Sequence, residues 1–219
     1  QQQAAYVMRV FGTQLRQAGS LYLDLGFDNP ATGTGDIEAN TAFQLRGSTA
    51  SSISENSGTV TIRFTGYEEP TFINQGPISR NCLGVPGTIT AGETVTIESI
   101  FTLNGNNLRC QGNGANVQPI AQNVANFQVR YLLQSNDAAN PTMLYTNAAG
   151  VGNNNWSRVQ GVEVCLVLFG NDAIDLPAGT SYTDCDGTAV NMTTLAGARR
   201  NRMHYVFRNV FQLRSQGLI

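Results

Sequence analysis

The sequence predicts an α+β protein in which one N-terminal helix packs on mainly antiparallel β-sheets. Three observations predict it. Apolar residues recur at helical spacing in the opening segment; from Thr59 onward they alternate with a period of two; and 23 glycines with abundant Asn, Ser and Thr supply the turns such strands need. No helical period returns between the strands, which excludes a parallel α/β architecture. With 219 residues and 41% hydrophobic content, the chain can bury a core as a single domain, residues 1–219.

The helix is expected over Gln1 to Ala18. Ala4, Met8, Phe11 and Leu15 form its apolar stripe with Val7 beside them, and Arg9, Gln14 and Arg16 take the other side. Gly19 stands where a C-cap belongs. The period runs from the first residue with no start signal ahead of it, which predicts continuation upstream: a basic leader, a cleavage site and about 20 apolar residues that could span a bilayer. The 219 residues themselves contain no run of that kind.

From Leu21 to Ser57 the pattern weakens into Pro30, Gly33, Gly35 and a Ser/Thr-rich stretch, a long surface connection with short pieces of structure at most. Strands then follow in turn. Val60, Ile62 and Phe64 alternate with Thr59, Thr61 and Arg63, one set facing a core and the other water. Val95 and Ile97 alternate with Thr94, Thr96 and Glu98 and run on through Phe101 and Leu103 to a hairpin signal, Asn104-Gly105, from which Leu108 to Cys110 return. Phe127, Val129 and Tyr131 alternate with Gln128 and Arg130. Val162 to Phe169 is almost continuously apolar, as in a central strand covered on both faces. Tyr205, Phe207, Phe211 and Leu213, interleaved with His204, Arg208 and Gln212, make the last strand.

Four cysteines, Cys82, Cys110, Cys165 and Cys185, allow three disulfide connectivities or four free thiols. Local closure favours Cys82 with Cys110 and Cys165 with Cys185, each adding about 3–4 kcal/mol in the chain-entropy model. Without a Cys-x-x-Cys spacing and with one histidine, the composition gives no zinc site.

Little else in the chain carries chemistry. His204 is the sole histidine and lies in a predicted strand, so neither a Ser-His nor a Cys-His pair is easily built, and it reads as structural. Gly33-Thr34-Gly35-Asp36 lacks the third glycine of a dinucleotide loop, and the absence of lysine rules out a Gly-Lys-Ser/Thr phosphate loop. Asp172, Asp175 and Asp184-Cys185-Asp186-Gly187 are the densest acidic groups; they fit no EF-hand spacing and read as turns. Glu68-Glu69 reads as a solvated loop, and so does Arg199-Arg200-Asn201-Arg202, the only basic cluster. Asn155-Trp156-Ser157 and Asn191-Met192-Thr193 fit a glycosylation pattern that is common by chance. A net charge of -2 gives no electrostatic reason to expect nucleic acid. The residues thus point to no enzyme, no catalytic residue, no cofactor, no metal and no small-molecule substrate.

Several segments, in order, resemble one family. Phe11-Gly12-Thr13-Gln14-Leu15-Arg16-Gln17-Ala18-Gly19 is similar to the end of the helix in the PilW family of type IV minor pilins. The strand Gly58 to Gly66, Asn81-Cys82-Leu83-Gly84 with Leu108-Arg109-Cys110, Asn123 to Tyr131, Trp156 to Leu168, and Arg199 to Leu213 each resemble a segment of that family. Leu213-Arg214-Ser215-Gln216 departs from its usual Leu-Arg-Asn-Arg ending. The resemblance supports the Cys82–Cys110 pair. It implies a pilin-like fold related to the J-type minor pseudopilin of type II secretion, with residues 1–18 as the C-terminal half of the pilin helix.

It further implies a structural subunit, anchored in the inner membrane with a periplasmic domain and later extracellular in the pilus. Its partners would be other minor pilins and the major pilin. Two rivals remain at this point: a minor pseudopilin of a secretion system, and a carbohydrate- or surface-binding adhesive domain, hinted at by the Asn/Gly-rich loops Gly112 to Asn116 and Gly150 to Asn155.

Overall fold

The structure, a computed structural model, describes residues 1–19, 51–69, 76–77, 79–88, 94–135, 137 and 139–213. Most of the Leu21 to Ser57 connection, the Gly33-Thr34-Gly35-Asp36 segment and the residues after Leu213 lie outside them. A first sheet comprises β1 (Ile53–Asn56), β2 (Thr59–Glu69), β3 (Gly76–Pro77), β4 (Thr94–Asn104), β5 (Asn107–Gly112) and β6 (Gln118–Ala121). Its order is β1-β2-β4-β5-β6, with β3 beside β2. A second sheet comprises β7 (Val124–Gln134), β8 (Met143–Thr146), β9 (Val159–Phe169) and the last strand, His204–Gln212. That last strand is β12, and the order is β12-β9-β7-β8. β10 (Ser181–Thr183) and β11 (Ala189–Asn191) form a separate two-stranded hairpin. Every described pairing is antiparallel.

The N-terminal helix α1 (Gln2–Gln17) buries Ala4, Val7, Phe11, Gly12, Gln14 and Leu15. Phe11 sits between the sheets, its ring 3.9 Å from Phe101 of β4 and 5.4 Å from Phe127 of β7. Fully burying Val7, Phe11 and Leu15 contributes about 1.5–3 kcal/mol each. The helix ends as Gly19 takes a φ of +69°, in the left-handed region that favours glycine. Gly19 N–H then donates to the Arg63 carbonyl on β2 at 3.0 Å, so the helix end is tied to the first sheet. No helix among the described residues is long and apolar enough to cross a membrane.

The structure corrects or sharpens the sequence reading in five places. Gln14, assigned to the wet side of the helix, is 3% exposed. Thr61 on the supposed water face of β2 is buried as well, and Arg63 there is half-buried in an ion pair with Glu98. Within the connection that ends at Ser57, Ile53–Asn56 is one short piece of structure: β1 pairs with β2, and Ile53 is in the core. Glu68 and Glu69 end β2 rather than forming a loop. The hairpin between β4 and β5 turns on Gly105 and Asn106, one residue later than the Asn104-Gly105 signal, with Gly105 at φ +58°.

β9 is buried on both faces. One face joins the main core with α1, and the other forms a smaller cluster of Cys165, Val167 and Cys185 against Ala125, Tyr182 and Val206. The β10–β11 hairpin supplies the second cover, and its presence changes the fate of His204. The strand alternation puts His204 on the outer face with Arg208 and Gln212, but the hairpin covers that face, so His204 is buried while Tyr205 is exposed.

Candidate functional site

The disulfides connect Cys82 with Cys110 and Cys165 with Cys185, with Cα atoms 6.4 and 5.8 Å apart. The first holds a loop against β5; the second pins the turn after β10 to β9. In that turn Asp184 Oδ1 accepts from Asn126 Nδ2 at 2.9 Å and from Cys185 N–H at 2.7 Å, while Asp186 Oδ1 accepts from Thr188 N–H at 2.8 Å. These carboxylates serve the turn. Asp172 and Asp175 are exposed, and among the described residues no group of three His, Cys, Asp or Glu could hold a metal ion.

His204 stacks on Tyr182 with ring centroids 4.6 Å apart and planes 5° apart. Its Nδ1 donates to the Arg202 carbonyl at 2.9 Å, and Nε2 is buried with no hydrogen-bond partner among the described residues. Burial depresses its pKa below the usual histidine value, outweighing the Arg202 carbonyl bond that works the other way. It has no nucleophile beside it in a described contact.

The arginine cluster is more structural than its sequence suggested. Arg199 donates to the Ala125 carbonyl at 3.3 Å, and Arg202 donates to the Gly170 carbonyl at 3.0 Å and lies over the Phe169 ring. Both staple loops that a solvated run would leave free. Asn155 and Asn191 are likewise engaged: Asn155 Nδ2 donates to the Val151 carbonyl at 2.9 Å, and Asn191 Oδ1 accepts from Thr193 N–H at 2.9 Å.

What the residue search missed is a cleft of about 380 Å³ between α1 and the loop around Cys82. Tyr6, Arg9, Thr13 and Gln17 line it from the helix, and Arg80 and Leu83 from the loop. Its walls are locked together. Cys82 N–H donates to Ser99 Oγ at 2.9 Å, Ser99 Oγ donates to Gln14 Oε1 at 2.8 Å, and Gln14 Nε2 donates to the Arg80 carbonyl at 3.1 Å. Asn81 Oδ1 closes the loop on itself by accepting from Leu83 N–H at 2.9 Å and Val85 N–H at 3.1 Å. The signal available in the sequence was the spacing of Tyr6, Arg9, Thr13 and Gln17, a second stripe at helical period flanking the buried one. What remains invisible there is the loop that faces it.

Comparison with known proteins adds a family. A family model described as Type IV Pilus-assembly protein W matches residues 89–215, more than half of the chain. That span contains the resembling segments from Leu108 onward, whereas Phe11 to Gly19, Gly58 to Gly66 and Asn81 to Gly84 precede it. No curated protein sequence matches the chain. Among solved structures, a type IV-like pilin from Thermus thermophilus aligns over 75% of this chain and 84% of its own, at 16% identity and a TM-score of 0.34.

Proposed function

The chain belongs to the PilW family of type IV pilus-assembly proteins, and on that premise we propose that it is a structural minor pilin. It takes part in priming pilus assembly and in the tip complex, through contact rather than catalysis. The observation that best supports this reading is the division of α1. One side is sealed into both sheets, while Tyr6, Arg9 and Thr13 stay at the surface beside a cleft with locked walls. A helix held this firmly can present a fixed surface to a neighbour, and a fixed surface binds with little ordering cost.

A pilus-assembly protein works with other pilus components. In this reading they are other minor pilins and the major pilin, and residues 1–219 form one domain. The domain stands in the periplasm before assembly, held at the inner membrane by an apolar helical segment ahead of α1, and is extracellular in the pilus. Deleting the gene and counting surface pili by electron microscopy tests the proposal. Pili should become rare and return on complementation. Normal piliation with impaired export of secreted enzymes would place the chain in a secretion system instead.

A further inference from the structure

We propose that the cleft between α1 and the Cys82 loop docks an acidic segment of a neighbouring type IV pilus subunit, a stretch that places a carboxylate next to an apolar side chain. The inference rests on the minor-pilin reading and adds the place and chemistry of one contact. Arg9 and Arg80 come from different elements to the same opening. Among the described residues neither has a carboxylate partner, whereas the ion pairs that do form use Arg63 with Glu98 and Arg208 with Glu163. A guanidinium group offers planar, paired donors that match a carboxylate, so two of them over one cleft favour an anionic group there.

Apolar and aromatic side chains share the lining with the arginines and with polar groups such as Gln17 and Asn81. Val10 and Leu83 are partly buried against the core, and Tyr6, 49% exposed, stands on the same side of the helix as Arg9. Arginines alone would suit any anion, and apolar lining alone any greasy segment; together Arg9, Arg80, Tyr6, Val10 and Leu83 favour a segment with both. The chain as a whole carries a formal charge of -2, so a basic opening on it is a local exception that steers an acidic partner to this face.

The test uses the full-length protein in cells that assemble the pilus, with p-benzoylphenylalanine replacing Thr13, or in a separate strain replacing Tyr145 on the exposed β8. Crosslinked peptides are identified by mass spectrometry. Position 13 should capture a peptide from another pilus subunit with Asp or Glu beside an apolar residue. Adding Arg9→Glu and Arg80→Glu should lower that yield about tenfold through like-charge repulsion, with the yield at position 145 unchanged. Both arginines are exposed, so charge reversal spares the core.

Capture of a second copy of this chain, capture of a peptide without a carboxylate, or indifference to charge reversal would overturn the proposal. If position 13 captures no subunit while position 145 does, the cleft proposal falls and the minor-pilin reading stands. If neither position captures one and cells lacking the gene still make pili, both fall.

Discussion

Tyr131→Phe removes one oxygen and should cost more at neutral than at acid pH. Tyr131 on β7 is fully buried, edge-on to Trp156 at 4.9 Å, and its hydroxyl donates to Glu55 Oε2 at 2.5 Å. The bond ties the second sheet to β1 of the first. Burial pushes the Tyr131 pKa far up, with the Glu55 charge adding to it, so the phenol keeps its proton. Burial also raises Glu55 above its ordinary value of 4.5, and the bond from Tyr131 works against that rise.

A hydrogen bond to a charged acceptor is worth about 1.5–3 kcal/mol, and Glu55 keeps some contact with water, so the lower half of that range applies at pH 7. For a chain of this size that is a drop of about 3–8 °C in Tm. The sign with pH follows from the raised carboxyl. Its stabilising contribution is full below the unfolded value and fades as pH rises through the folded one. The variant lacks the donor that held Glu55 down, so its folded pKa rises further and it loses more than the parent between pH 4 and pH 7. At pH 4 the acceptor is largely a neutral acid, and the gap should narrow to about 1 kcal/mol. Urea unfolding with disulfides intact, followed by the fluorescence of Trp156, the single tryptophan, measures both. A gap below about 0.5 kcal/mol at pH 7, or one that widens at pH 4, would refute the reasoning.

Because burial lowers the His204 pKa, the folded state resists protonation there: stability falls as pH drops below the ordinary value of 6.5 toward the folded one, and His204→Phe should flatten the profile in that window relative to the parent. Replacing Cys165 and Cys185 by Ser frees a bridge across 20 residues and should cost about 3 kcal/mol, with amide exchange accelerating first in β10–β11. A Cβ at Gly12 would stand 2.7 Å from Cε1 of Phe211 on β12, so Gly12→Ala should destabilise the parent by about 1 kcal/mol of overpacking. In a Phe211→Ala background the same change should become favourable by up to about 1 kcal/mol of helix propensity, and equal effects in both backgrounds would show that the ring does not set the approach.

The helix, the alternating strands and the doubly covered β9 were legible because each follows from one-dimensional periodicity. Covering elements were not. Nothing in the spacing of Ser181 to Asn191 shows that this hairpin folds back on β9, yet it decides that His204 is buried and that Tyr182 stacks on it. Thr61 misled for the same reason: its polarity points to water, while its burial depends on what lies over β2. The cleft was half legible, since α1 displays its stripe, but the loop from Arg80 to Gly84 is placed by a disulfide and by Asn81, 66 or more residues from the helix positions it faces at Gln14.

Gln14 shows why the wet-or-dry assignment of a single polar residue can fail inside a correct helix. Ala4, Val7, Phe11 and Leu15 would bury nearly the same area if α1 rolled or slid a little, because apolar contact has no direction. Gln14 does have direction: its carbonyl oxygen needs the Ser99 hydroxyl and its amide needs the Arg80 carbonyl. Leaving either unmet in the interior costs about 1–3 kcal/mol, which is enough to penalise a shifted seating by about fivefold or more. Gly12 adds a steric limit from the side of β12, since Phe211 occupies the space a side chain would need. The apolar stripe therefore brings the helix to the sheets, and the amide and the glycine select where it stops. The same Gln14 amide holds the backbone of Arg80 against the helix that carries Arg9, so the two residues reach one cleft because of a contact made in the core.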